Sequence, residues 1–262
     1  MANAQEPGGA LPPLGDLFNE SFQDFGQNIG GYLLATLGVM LVAFPVTMVL
    51  TMVGMVVMYA VIILGIVGSA VGGAALGEAS QDAAGLMAVF GSFGSMFAGF
   101  FVMALFVSLG VGLTAPLNAS LERAIAAHQR GEAPLEFNAA FKTMGEGFMS
   151  AVTAQLLVTG ASLLGVFFCY VGALVPLVLF SFVMPMVALH QKGAFEALSR
   201  CARHAMAHPS EHLTFGLVYF GMTLVASYVP IVGPAFMRGL KVRAYRKFFG
   251  DGAEPNMGGI PG

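Results

Sequence analysis

Cys201, His204, His208 and His212 stand three and four residues apart, a spacing that could align one thiol and three imidazoles along a helical face. Thiolate sulfur and neutral imidazole nitrogen are the ligands zinc takes. Pro209 interrupts the face, because the residue before a proline is pushed out of the helical region. Residues 209–212, PSEH, instead read as a new helix with Pro209 at its first position and Glu211 in its first turn. The four residues are therefore expected as an interfacial polar cluster, with no metal, cofactor or catalytic residue assigned. A membrane enzyme would have to draw a cytoplasmic site from His190, Glu196, Arg200 and His204. The chain holds no phosphate-cradling Walker loop, no dinucleotide-binding context and no usable Ser–His–Asp order.

The elements that must position these residues follow from hydropathy. Of the 262 residues, 57% are apolar and only 10% charged, and mean hydropathy is +0.80. Soluble domains carry about 25% charged residues, so a water-soluble fold is excluded. No Asp, Glu, Lys or Arg occurs in residues 31–77, 83–121, 147–191 or 212–237. Since about 20 apolar residues cross a bilayer, the fold class is all-α, a polytopic membrane bundle. The runs lack the alternation of a barrel. Residues 1–22 contain no Lys or Arg and no early apolar core, unlike a secretory leader. Cys169 and Cys201 fall near opposite membrane faces and are not expected to pair.

All eleven Lys and Arg residues lie between Arg123 and Lys247, in three clusters. Basic loops stay cytoplasmic, which places the clusters on one face and gives three hairpins, at about 30–117, 148–190 and 213–237. Their far turns are the acidic residues 78–82, the neutral residues 170–172 and SYVPIVGP, residues 227–234. One domain, residues 14–249, is expected between flexible tails at 1–13 and 250–262. Both termini should face the cytoplasm across a bacterial inner membrane.

Internal likeness supports this. FNESFQDFG at residues 18–26 resembles FNAAFKTMG at 137–145, and HQRG at 128–131 resembles HQKG at 190–193. Both Phe-rich copies are expected as amphipathic helices lying at the interface before a membrane crossing. Pro116, Pro185 and Pro234 each precede a stretch that ends at a glycine, Gly131, Gly193 and Gly250, the usual helix stop. If the two Phe-rich copies are equivalent, residues 31–77 cross once as a long helix, kinked near Pro45 or Gly54, although their length would allow two spans.

The predicted spans contain no ionisable residue, and Gln155 is their most polar side chain. That argues against charge-coupled transport. Gly91, Ser95 and Gly99 form a small-residue stripe for helix packing, with Gly68 and Gly72 as a second small surface. Lys192, Arg200, Arg203, Arg238, Lys241 and Arg243 are candidates for lipid headgroups, and nucleic acid is not an expected partner.

MPMVALHQKGAFEALSRCARHAMAHP, with its Gly then E-A-L-x-R, and the later A-Y-R-x-F at residues 244–248, resembles a group of uncharacterised prokaryotic six-helix integral membrane proteins. It is also similar to the membrane region of some glycerophosphodiester phosphodiesterases. The likeness covers about residues 137–249, with Cys201 where Ser is commoner. It implies a six-helix bundle with cytoplasmic termini and no reaction, because the soluble phosphodiesterase domain is absent. The expected function is an oligomeric scaffold or membrane-organising component, partnered by lipids and by itself or another membrane protein. The alternative is a passive channel or carrier for uncharged or lipid-like solutes, lined by Gln155 and the Ser and Thr residues.

Overall fold

Inside a bilayer every backbone N–H and C=O must be satisfied within the protein, and long uncharged runs meet that demand by coiling into helices. The computed structural model describes residues 13–76, 81–167 and 170–250. Among them it is all-helical: α1 (Leu14–Gln27), α2 (Ile29–Leu76), α3 (Gln81–Gln129), α4 (Ala139–Lys142), α5 (Phe148–Phe167), α6 (Tyr170–Leu179), α7 (Val183–His190), α8 (Ala194–Ala207), α9 (Pro209–Ala226) and α10 (Val232–Phe249). Four stretches are long and apolar enough to cross a membrane: Ile29–Ala74, Gly85–Gln129, Phe148–Val166 and Gly172–His190. The first is one uninterrupted helix through Pro45 and Gly54, not two spans. The expected tails, Cys169 and residues 77–80 of the acidic turn lie outside the described residues.

The chain divides into two compact units. One is Phe44–Val111; the other joins Met1–Ala43 to Gly112–Gly262. In the first, α2 and α3 touch through small residues. A Cβ on Gly65 would collide with Ser95 Cβ, one on Gly91 would fall 2.5 Å from Ser69 Cβ, and one on Gly99 2.7 Å from Ile62. The backbones approach where side chains are smallest.

In the second unit, Phe182 stacks on Phe215 and meets Phe248 edge-on, beside Tyr245, at the centre of one core, while Tyr32, Leu121 and Ile125 anchor another. The two Phe-rich copies diverge here. The first lies wholly in α1, burying Leu17, Ser21 and Phe25. The second winds only the single turn of α4, so the expected second amphipathic helix is not formed. Its lead-in passes over glycines instead: a Cβ on Gly31 would lie 2.8 Å from the Leu135 carbonyl and one on Gly38 2.6 Å from that of Phe137. Gly145 and Gly147, the latter at φ 64°, then end any helical tendency.

The helix stops also differ in the second copy. Gly131 and Gly250 take the left-handed conformation expected of them. Gly193 does not: α7 ends at His190, Gln191 takes the left-handed position at φ 50°, and Gly193 precedes α8 at φ −61°. Pro209 opens α9 at its first position. The turn after α9 bends at Ile231, φ 66°, and the Gly233 backbone lies against the Ala226 carbonyl, where a side chain has no room.

Candidate functional site

Between α6 and α7 the helix breaks at residues 180–182. The Val183 N–H donates to the Phe180 carbonyl, so the Leu179 carbonyl loses its helical donor. Two side chains from beyond the break replace it: Cys201 Sγ donates at 3.0 Å and His212 Nε2 at 2.9 Å. A carbonyl only accepts, so the proton on His212 sits on Nε2. The same burial pushes the Cys201 thiol up to about 12, though the Phe182 N–H pulls the other way. His204 completes an aromatic wall, its ring 4.4 Å from Phe249 and 5.0 Å from Phe248, with the His208 ring at 5.1 Å and the His212 ring at 5.7 Å. Burial, and then the charges of His212 and His208, bring His204 down to about 4. The four residues do come together, as a splice across a broken helix. Among the described residues no three His, Cys, Asp or Glu side chains converge to hold a metal.

Of the other cytoplasmic candidates, His190 Nδ1 meets the Tyr245 hydroxyl at 2.6 Å, and Tyr245 is fully buried. Glu196 holds Arg200 at 2.8 Å and Lys192 at 3.6 Å along α8. Lys192 and Arg200 are partly exposed and Arg203 is exposed; the α10 candidates Arg238, Lys241 and Arg243 are also partly exposed but reach inward to Asn118, Glu122 and Asp24.

Those inward cations build the most polar part of the structure. Lys241 Nζ meets Glu122 at 3.0 Å, with side-chain exposures of 13% and 5%. Arg238 donates to Asn118 at 2.7 Å. Two residues after Lys241, Arg243 donates to Asp24 at 2.6 Å and to Glu20 at 3.5 Å. Asp24 also accepts from the Tyr32 hydroxyl at 2.8 Å, and Gln129 donates to that hydroxyl and to the Gly239 carbonyl. α10 is thus bonded to α1 and α3 by charge, which leaves Arg238, Lys241 and Arg243 committed internally. Glu122 also sits within an apolar stretch long enough to cross a membrane, Gly85–Gln129. Sequence reasoning ended that run at Leu121 and missed it; no local signal ties Glu122 to a lysine 119 residues away.

The remaining feature is a surface. In the unit of residues 44–111, Phe44, Val56, Leu64, Val71, Phe90 and Phe97 are all exposed, and large apolar side chains point outward along both helices. Gly91, Ser95 and Gly99 are used up in contact between α2 and α3, while Gly68 and Gly72 have nothing within 4 Å of an added Cβ and stay outside that seam. No protein-family model, curated protein or solved structure matches the chain, so its function must be argued from this geometry.

Proposed function

We propose that the chain is a non-catalytic multi-pass membrane protein that self-associates or organises the membrane around it, through the apolar helix pair of residues 44–111. The observation that supports this is length combined with exposure. Residues 44–76 of α2 extend about 50 Å at 1.5 Å per residue, against a hydrocarbon core of about 30 Å. Apolar side chains are exposed from Phe44 to Val71, and the surplus beyond the lipid tails requires cover from protein or from a locally reshaped bilayer. The arrangement in this reading is three hairpins, α2–α3, α5–α7 and α9–α10, in a bacterial inner membrane. Both termini face the cytoplasm with the basic clusters, and α1 lies near the interface.

Crosslinking in native membranes, followed by mass measurement of the detergent-solubilised protein, tests this. Oligomers that vanish when Phe90 and Phe97 are changed to Ser are the expected result; a strict monomer by both methods overturns self-association. No observation favours a solute path. Gln155 bonds Thr159 one turn along its own helix, and the hydroxyls of Ser162, Thr214 and Thr223 return to carbonyls of their own helices.

A further inference from the structure

The two HQ(R/K)G phrases frame a cavity of about 630 Å³. Its walls come from the end of α3 (Ala124, Ala127 and Arg130), the end of α7 (Ala188, Leu189 and Gln191) and the segment from Glu132 to Thr143 that crosses between them. Gln191 lines it in the left-handed conformation noted above, a strained backbone of the kind that gathers at functional positions.

Its charge is concentrated in three cations. Arg123 is mostly buried and donates to the carbonyls of Ala188, Thr143 and Glu146, which fixes its guanidinium at the cavity. That uses three of five N–H groups. Lys142 uses one of three on Glu136. Arg130 stands in a bidentate pair with Glu132, the one carboxylate in the lining. Glu136 and Glu146 hold Lys142 and Arg123 at 3.0 and 3.9 Å without lining the cavity themselves. Cations therefore outnumber carboxylates three to one on its wall, and apart from Thr143 and Gln191 the rest of that wall is alanine, proline and leucine.

We infer that this cavity binds a phosphate group, with N–H donors of Arg123 and Lys142 directed at its oxygens and Arg130 adding charge. Guanidinium and ammonium groups together are the usual donors for such an anion. The alanine and leucine wall takes the organic part of the molecule. The phosphate belongs either to the headgroup of an acidic phospholipid or to a soluble phosphate compound. This inference does not depend on self-association through residues 44–111.

The test compares wild type, the double variant Arg130→Gln/Lys142→Gln, and a control, Arg203→Gln/Lys247→Gln, which removes the same charge elsewhere. Arg123 is left intact because its carbonyl bonds hold the segment in place; circular dichroism and the melting temperature check each fold. Inorganic phosphate is titrated by calorimetry in neutral detergent, and retention of phosphatidylglycerol against phosphatidylcholine is read by native mass spectrometry. At about fivefold per cation near an anionic surface, the cavity variant should bind about 25-fold more weakly and the control less than twofold. Saturable phosphate binding identifies a soluble ligand; selective retention of phosphatidylglycerol alone identifies a headgroup; either supports the inference. Equal loss in both variants, or wild type that neither binds phosphate nor prefers the acidic lipid, overturns it.

Discussion

Replacing Glu122 with Ala strips the buried carboxylate from beside Lys241 and leaves the ammonium with no opposite charge in contact. At 3.0 Å, with an effective dielectric of about 20, the pair attracts by about 5 kcal/mol before desolvation is counted. Removing one member of such a pair costs about 3–5 kcal/mol, because the survivor stays buried and uncompensated. For a chain of this size about 1 kcal/mol corresponds to roughly 2–4 °C, so Glu122→Ala should lower the melting temperature in detergent by at least about 6 °C. Glu122→Met/Lys241→Met, which removes both charges and keeps apolar volume, should recover most of that loss. Melting curves of wild type, Glu122→Met, Lys241→Met and the double variant close a thermodynamic cycle. A coupling energy below about 0.5 kcal/mol would refute the reasoning, since the seam would then be held by packing and the charges would contribute nothing to it.

Three further outcomes are expected. Gly65→Ala should disrupt the α2–α3 seam, where a Cβ would collide with Ser95, while Gly68→Ala, in open space, should be neutral or stabilising by up to about 1 kcal/mol; melting temperatures of the two variants decide. In a Cys169→Ser background, Cys201 should resist maleimide at pH 8 until the chain unfolds, because its thiol is buried and held up at about 12; mass spectrometry reads the adduct. His204 falls from 6.5 to about 4 on folding, so the unfolded chain binds more protons between those values. Its contribution is complete above about pH 6.5 and lost as pH falls toward 4. Melting temperature should therefore drop more steeply with acid in wild type than in His204→Leu.

The class of fold was legible because charge is so sparse: each uncharged run became helix, and Pro209 and residues 227–234 marked a start and a turn that the structure contains. What escaped was tertiary. Nothing local distinguishes FNESFQDFG from FNAAFKTMG strongly enough to predict that one is a helix and the other a single turn laid over Gly31 and Gly38. The break at residues 180–182 carries no glycine, and it is stable only because Cys201 and His212 arrive from later helices to satisfy Leu179. Gly193 was misjudged for a related reason: the chain turned two residues earlier, at Gln191, although left-handed backbone favours glycine. The Cys–His cluster was legible as a group, but its purpose depended on a carbonyl 22 residues before Cys201. The basic clusters showed where charge lies along the chain, not which of its members face inward to Asn118, Glu122 and Asp24.

The pairing of α10 with α1 and α3 sets an order for biogenesis. Residues 44–111 contain both sides of their own seam and can close as soon as they leave the ribosome. Asp24 must wait 219 residues for Arg243, and Glu122 must wait 119 for Lys241. Until the last helix is synthesised, these two carboxylates lack the Arg and Lys that they pair with in the finished fold. A ribosome that stops short of α10 therefore releases a chain with one finished unit and one that cannot close, a state for quality control to recognise by its stranded negative charge.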